Sequence, residues 1–313
     1  MMIIGQENVH TSVYESMLCC LKAVIPSVFP FMILSNIISE ILTLKENGVA
    51  AIFFHKLFGV SSQAVPLIVI GAIAGFPTGA AMCRNLYEKG KISAQEAEYL
   101  LSFCTNSGLS LAVGLAGVTV LGSIKSGIVI YIIQIISSLL VGIILKEKHA
   151  LRLREEAYCI DTKTSFGETI VDSVKKAVKG TAYICGFVTF FSIIAEMVCR
   201  YLPEGLIFPA KAVLEITGEL SELKDTPRAI SFVIANGLLS WSGISAHMQV
   251  RSVTHGLKLN KYYLGKVIHM AVSMFLAYPV ATSGAVNTFR EKIVITNREE
   301  GAADGHTAKA SPA

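Results

Sequence analysis

The chain has 313 residues, of which 52% are hydrophobic and only 16% are charged, and its mean hydropathy is +0.57. Because soluble domains carry about 25% charged residues, this composition excludes an ordinary soluble protein. The formal net charge of +4 is too small to indicate nucleic acid binding. The apolar residues form long blocks, several close to the roughly 20 residues that cross a bilayer, so we predict an all-α, multi-pass protein of the cell membrane.

The early apolar runs lead to a segment that cannot remain a regular helix. A run over roughly residues 17–44 is followed by a shorter one, 49–60, which suits an interfacial helix or half-helix. The next run, 64–83, contains GFPTGA, in which Pro77 lacks a backbone donor and lies between two glycines. Proline removes a helical hydrogen bond, and in hydrocarbon freed backbone groups are tolerated only inside protein or along a polar cavity. We therefore predict that helical geometry is lost near residues 75–79.

An equally weighted alternative is that this segment serves helix packing. Gly71, Gly75 and Gly79 are spaced four residues apart, which is typical of a small-residue stripe along a close helix–helix contact. A second polar interruption, Cys104 to Gly108, follows in the next apolar segment. Many transporters build a substrate site from interrupted helices, so the two interruptions predict a site near the middle of the membrane.

Polar stretches divide the chain into parts. An apolar run over 124–145 precedes a polar connector, and another run over 262–283 precedes a polar tail. The predicted organisation is a first transmembrane repeat over 1–145, a connector over 146–170, a second transmembrane repeat over 171–285 and a disordered polar tail over 286–313.

The two transmembrane parts share a weak internal repeat. The segment FPFMILSNIISEIL aligns with CGFVTFFSIIAEMV and brings Glu40 onto Glu196, a shift of 196 − 40 = 156 residues. Downstream, GFPTGAAM aligns with WSGISAHM and brings Ala80 onto Ala246, a shift of 246 − 80 = 166 residues. A helix interruption at the same place in both repeats points to a binding site. We predict two pseudo-symmetric halves, parallel or inverted, with a second interruption near residues 240–243 that approaches the first.

Residues 75–108 carry a family resemblance. GFPTGA followed by LYEKGKISAQEAEYLLSFCTNSG is similar to the pattern of the sporulation integral membrane protein family, in the nucleoside-recognition or Gate-domain superfamily. The stretches LEITG (214–218) and SWSGISAHMQV (240–250) also resemble that family, and the likeness covers most of residues 15–285. The resemblance implies a fold like that of the concentrative nucleoside transporters, with two half-membrane hairpins around a central site. It also implies transport, during sporulation, of an anionic aromatic dicarboxylate such as dipicolinic acid or of a nucleoside-like solute.

Polar residues at the two interruptions are the candidate solute ligands, because hydroxyls, amides and freed backbone amides can hold a carboxylate. The candidates are Gly75, Phe76, Pro77, Thr78, Gly79, Thr105, Asn106, Ser107, Ser240, Trp241, Ser242, Gly243, Ser245 and Gln249. Trp241 is the single tryptophan. It could stack on an aromatic solute or anchor the chain at the membrane interface.

Two ionisable residues are candidates for ion coupling. His247 lies in a predicted spanning segment, where an ionisable side chain is a functional candidate, and histidine changes charge near neutral pH. The alternative for His247 is a neutral ring bonded to a neighbour. Glu215, in VLEITGEL, is the other candidate, although its charged neighbours also fit an amphipathic surface helix.

No nucleophile–base pairing, metal-ligand spacing or phosphate loop occurs in the sequence, so neither an enzyme nor a cofactor or metal site is expected. Two functions remain. The paired interruptions favour a carrier or facilitator for a small solute, and the alternative is a non-transporting membrane scaffold needed for spore assembly. The expected partners are membrane lipids, the small-molecule solute and a coupling proton or cation, with a homo-oligomer left open and nucleic acid excluded.

Overall fold

A computed structural model describes residues 2–41, 48–146, 165–284 and 286, and within these ranges the regular structure is helical. The α-helices are α1 Met2–Cys19, α2 Ile25–Ile41, α3 Val49–Phe58, α4 Val65–Ala74, α5 Phe76–Glu88, α6 Ala94–Leu101, α7 Ile124–Ile144, α8 Phe166–Cys199, α9 Glu204–Leu214, α10 Ile216–Glu222, α11 Arg228–Trp241, α12 Gly243–Val253 and α13 Asn260–Thr282. π-Helical segments occupy Cys20–Val24 and Ser110–Val120, and short 3₁₀ turns occupy Ser62–Ala64 and Leu223–Asp225. Most of the predicted connector and all of the predicted tail except Val286 lie outside the described residues.

Four described stretches are long and apolar enough to cross a membrane. They are Ile124–Ile144, Phe166–Cys199, Arg228–Val253 and Asn260–Thr282. The pair Ala51–Phe58 and Ser62–Ala74 bends by 98° and makes a fifth if it is counted as one span. The prediction of an all-α chain with several apolar helices of membrane-spanning length is therefore confirmed for the described residues.

The helices α4 and α5 form a hairpin with its turn at Gly75. Gly75 has a φ of +95°, which favours glycine, and α5 begins directly after it. A Cβ placed on Gly79 would lie 3.2 Å from the Cα of Gly71, whereas residues eight apart in one straight helix are about 12 Å apart. The chain therefore folds back at Gly75, with arms of 10 and 13 residues.

The predicted loss of helix near residues 75–79 is confirmed at Gly75 and is wrong for the four residues that follow. Pro77 lies in the first turn of α5, where a backbone N–H would have no helical partner in any case. The proline therefore starts a helix rather than breaking one, and the glycine before it makes the turn.

A second, shorter hairpin consists of α9 and α10, with its turn at Glu215. Glu215 is extended, with φ −148° and ψ 127°. Lys211 lies before this turn and Glu222 after it, yet the Nζ of the first is 3.9 Å from Oε1 of the second. The chain therefore bends at Glu215, which brings these two side chains within 3.9 Å of each other.

Basic side chains mark one end of the helix bundle, which we call the basic end. There, Arg84 at the end of α5 donates to the carbonyl of His255 after α12, and the backbone N–H of Lys258 donates to Glu98 of α6 at 2.9 Å. At the opposite end, Arg228 at the start of α11 donates to a backbone carbonyl just after Val120. The first hairpin thus enters the bundle from the basic end, and the second, which lies between the end of α8 and the start of α11, enters from the opposite end.

Two longer helical stretches are interrupted but run from one end of the bundle to the other. After α6, residues 102–108 are non-helical before the segment Ser110–Val120 continues. Between α11 and α12, Ser242 and Gly243 both adopt the left-handed conformation, at φ 74° and 77°. The predicted interruption near residues 240–243 is therefore confirmed at Ser242 and Gly243, whereas Ser240 and Trp241 still belong to α11.

The glycine stripe of the first hairpin is a close packing surface. A Cβ on Gly71 would overlap the carbonyl oxygen of Cys104, and one on Gly79 would lie 2.5 Å from it. A Cβ on Gly75 would lie 3.1 Å from the backbone nitrogen of Gly108. The first hairpin therefore packs directly on the backbone of the interruption after α6. The two alternative interpretations of this segment, an interruption and a packing stripe, describe one feature.

The substitution Gly71→Ala tests this packing. We expect it to lower the free energy of unfolding by about 1–3 kcal/mol, because the added methyl group meets a backbone oxygen that cannot move alone. The matched control is Gly186→Ala in α8, where a Cβ would meet no heavy atom within 4 Å. Thermal unfolding of the purified variants in detergent measures both, and equal melting temperatures would contradict the close approach.

Candidate functional site

A buried lysine joins the two interrupted helices. Lys266, on α13, is only 1% exposed, and its Nζ donates to the carbonyl of Thr105 and, at 3.2 Å, to the hydroxyl of Ser242. Within the described chain, no acidic side chain forms an ion pair with it. A cation inside an apolar helix is costly and marks a functional site by default. Lys266 therefore defines the centre of the candidate site.

Close packing brings Lys266 to the interruption after α6. The preceding residue on α13 is Gly265, and a Cβ there would overlap the backbone of Ser102. Because glycine has no side chain, α13 can approach the non-helical stretch closely enough for the lysine to reach the Thr105 carbonyl.

Neither Lys266 nor His269 is among the residues that the sequence reasoning singled out. On α13, Tyr262, Lys266, His269 and Ser273 recur at helical spacing and are each at most 2% exposed. The signal in the sequence is this polar stripe, one helix face wide, within a run that is otherwise apolar.

A network of buried polar side chains joins α7, α11 and α13 beside the lysine. Ser240 lies 2.7 Å from the hydroxyl of Ser273 and 3.0 Å from Oε1 of Gln134. Gln134 in turn donates to the carbonyl of Asn236 at 3.0 Å, and Nε2 of His269 lies 3.1 Å from the Gln134 carbonyl oxygen. These groups satisfy one another, so the network fixes the three helices rather than offering free ligands.

His247 has a ring nitrogen that is buried and without a partner. The residue is 3% exposed; its Nδ1 lies 2.7 Å from the hydroxyl of Tyr262, and its Nε2 has no hydrogen-bond partner among the described residues. The ring of Trp241 packs edge-on against the imidazole with centroids 4.6 Å apart. Since buried polar atoms are nearly always bonded, this nitrogen is a candidate ligand atom.

The predicted ligands after α6 are held by other parts of the site. Asn106 donates to the hydroxyl of Ser138 on α7 at 3.0 Å, and Ser107 donates to the carbonyl of Leu239 on α11 at 2.6 Å. With the bond from Lys266 to the Thr105 carbonyl, the structure brings Thr105 and Ser107 to the interruption between α11 and α12.

Other predicted ligands do not bond to Lys266, the centre of the candidate site. Ser245 accepts a long bond of 3.4 Å from Gln249 along α12, and Oε1 of Gln249 and Oγ1 of Thr78 have no partner in the described chain. Phe76, Pro77 and Gly79 are buried in the first turn of α5, and Gly243 is buried at the start of α12. None of these residues bonds to Lys266.

The turn of the second hairpin packs on the second interruption. A Cβ on Gly243 would lie 3.2 Å from the carbonyl oxygen of Leu214, and the indole of Trp241 donates to the carbonyl of Val213 at 3.4 Å. Each hairpin turn therefore rests against one interrupted helix. The predicted stacking of Trp241 on a solute stays a prediction.

Glu215 caps the helix that follows it. Its carboxylate accepts bonds from the N–H and hydroxyl of Thr217, at 2.8 and 2.7 Å, and from the N–H of Gly218 at 3.2 Å. These donors lie at the start of α10, where backbone N–H groups lack helical partners. The ion-coupling role of Glu215 stays a prediction. The described residues contain no group of three or more His, Cys, Asp or Glu side chains that could hold a metal ion.

Comparisons with protein-family models, with curated proteins and with solved structures found no match to this chain. The family resemblance of residues 75–108 therefore stays a prediction.

The variant Glu215→Ala tests the capping role. We expect a loss of about 0.5–2 kcal/mol in the free energy of unfolding, because three donors at the start of α10 lose their acceptor. Glu196→Ala, near the end of α8, is the control, since that carboxylate caps no described helix. Chemical denaturation in detergent measures the difference, and an equal stability of the two variants would contradict a cap.

Proposed function

We propose that the chain is a membrane carrier for a small, anionic, aromatic solute, bound where the hairpin turns meet the interrupted helices. The observation that carries the proposal is Lys266, a buried cation that bridges Thr105 and Ser242 without an acidic partner in the described chain. An unpaired positive charge in a low-dielectric site favours an anion as its ligand. A carboxylate of the solute would supply the missing partner.

We also propose that the two halves are inverted repeats. In support, each half has a hairpin, then an interrupted helical stretch, then an apolar helix, namely α4–α5, α6 to Val120 and α7, against α9–α10, α11–α12 and α13. The two hairpins enter from opposite ends of the bundle, and each turn packs on the interruption of its own half. The sequence SGLS at 107–110 also aligns with SGIS at 242–245, a shift of 242 − 107 = 135 residues.

This arrangement uses a different register from the one predicted at shifts of 156 and 166. At 166, the turn at Gly75 is aligned with Trp241, which ends a helix that continues along the bundle after Ser242. At a shift of about 135–140 residues, the turn of the first hairpin is aligned with the turn of the second, and the interruption after α6 with the interruption after α11. Inverted repeats place a solute site at their interface, near the middle of the membrane.

The charges at the two ends give an orientation for the proposed carrier. Basic residues at one end include Lys56, Arg84, Lys89, Lys91, Lys146, Arg251, Lys258 and Lys261, and fewer, namely Lys125, Arg200, Lys224 and Arg228, lie at the opposite end. Because basic loops are retained on the cytoplasmic side, we assign the basic end to the cytoplasm. The first hairpin then enters from the cytoplasm and the second from the other side of the membrane.

Solute flux into vesicles tests the proposal, with pyridine-2,6-dicarboxylate as the probe. We expect Lys266→Met to lower flux about tenfold to a hundredfold, since a hydrogen bond to a charged group contributes about 1.5–3 kcal/mol. Lys266→Arg keeps the charge and should retain more flux than Lys266→Met. The control is Lys258→Met, an exposed lysine at the basic end. Full flux in Lys266→Met would favour the scaffold function.

A second test addresses the ligands predicted from the sequence. Asn106→Ala leaves the hydroxyl of Ser138 without its donor, and Trp241→Ala removes the indole beside His247. Because an unpaired buried polar group costs about 1–3 kcal/mol, we expect about a tenfold to hundredfold loss of flux in each. Tyr201→Ala, which removes an aromatic ring that is 86% exposed, is the control. Flux is scaled to the amount of inserted protein, and undiminished flux in both variants would also favour the scaffold.

A further inference from the structure

We propose that the carrier moves a dicarboxylate together with one proton, with Lys266 neutralising one carboxylate and His247 receiving the proton on Nε2. This inference rests on the proposed function and assigns the charge balance of the same site. It starts from two observations in the described chain, the Lys266 cation without an acidic partner and the Nε2 of His247, on α12, without a hydrogen-bond partner.

If the solute is a dicarboxylate, the charge count at the centre of the bundle requires one further positive charge. A dicarboxylate carries two negative charges at neutral pH, because carboxyl groups titrate near pH 4. Around the interruptions, Lys266 is the side chain that supplies a positive charge, and the neighbouring Ser107, Ser242 and Asn106 are neutral. A second carboxylate without a counter-charge would be strongly disfavoured in a low-dielectric interior. A proton that enters with the solute removes this excess charge.

His247 is placed to take that proton. Its Nδ1 is fixed by Tyr262, which leaves Nε2 as the atom with free hydrogen-bonding capacity. The titratable groups that face His247 from α13 are Tyr262, Tyr263 and Lys266. From α5, α8 and α9, which also pack against α12, no ionisable side chain of the described chain bonds to the imidazole.

The other buried histidine differs in one respect. His269 lies on the same polar stripe and is 2% exposed, but its Nε2 is already 3.1 Å from the carbonyl oxygen of Gln134. Because Nε2 of His269 donates to this carbonyl, it is not available to a solute, and a proton could bind the ring only on Nδ1. His269 is therefore a matched control for the unpartnered Nε2 of His247.

The proton step balances without a further reactant. In the tautomer in which Nδ1–H donates to the Tyr262 oxygen, Nε2 holds a lone pair, and a proton from water on the entry side binds there. The protonated ring then donates Nε2–H to the second carboxylate, while Lys266 holds the first. When the solute leaves on the other side, Nε2 releases the same proton to water.

The experiment measures protons and solute in the same vesicles. Purified protein is reconstituted into vesicles that contain a trapped pH-sensitive dye, and labelled pyridine-2,6-dicarboxylate is added outside at pH 7.5. We expect about one proton to enter for each dicarboxylate in the wild type and no proton in His247→Gln. His269→Gln should keep a ratio of about one even where its rate falls. Because the result is a ratio, it does not depend on how much protein is folded.

A second measurement needs only the wild-type protein. Pyridine-2-carboxylate has one carboxylate, which Lys266 neutralises alone, so we expect its entry above the protein-free background to bring no proton. Entry of pyridine-2,6-dicarboxylate without protons would overturn this inference and leave the proposed function standing. An unchanged ratio in His247→Gln would overturn the role of His247. If the wild-type protein moves neither compound, the proposed function and this inference both fail.

Discussion

The structure depends on one constraint, which is that a backbone carbonyl freed by a helix interruption must find another donor. Water normally supplies that donor, and hydrocarbon does not. Side chains supply it at the two hairpin turns and at the interruptions of the two longer helical stretches. The pairs are Ala72 with Tyr131, Thr105 with Lys266, Val213 with Trp241 and Leu239 with Ser107. Three of these donors, Lys266, Trp241 and Ser107, are also the polar groups of the candidate site, so the bonds that hold the fold and the bonds offered to a solute come from the same atoms.

This double use has a consequence for binding. Lys266 is at most 1% exposed, and Asn106, Ser107 and Ser242 are at most 4% exposed, so the described arrangement is closed. A solute must replace existing bonds rather than fill an open cleft, and each bond it replaces leaves a carbonyl that needs a new partner. The hairpin turns pack against the interrupted helices through close contacts at glycine: a Cβ on Gly75 would lie 3.1 Å from the backbone nitrogen of Gly108, and one on Gly243 would lie 3.2 Å from the carbonyl oxygen of Leu214. In the proposed carrier, entry of a solute would therefore require a hairpin turn to separate from its interrupted helix.

The sequence predicted the local features well and the long-range ones poorly. The interruptions at Gly75, at residues 104–108 and at Ser242 follow from the backbone preferences of glycine and proline and from polar residues within apolar runs, which are local signals. Whether a chain folds back after an interruption depends on what packs against it, and nothing in GFPTGA distinguishes a hairpin from a bend. The weak match at a shift of 166 aligns Gly75 with Trp241, after which the helical stretch continues, and the repeat itself stays a prediction. Lys266 was not predicted because a single lysine near the start of a helix resembles a residue at the membrane interface. Only the structure shows that it bonds to Thr105, which is buried inside the bundle.

Lys266 also separates the two candidate functions on energetic grounds. A buried cation loses its hydration, and bonds to one carbonyl and one hydroxyl recover only part of that loss. Replacing such a charge by a well-packed apolar side chain is often neutral or stabilising, so a protein that served only as a scaffold would be at least as stable with leucine or methionine at position 266. By the same argument, an unpaired lysine at position 266 lowers the free energy of unfolding. In the proposed carrier, an anion that pairs with Lys266 would recover this free energy as binding affinity, whereas a scaffold would bind no such anion.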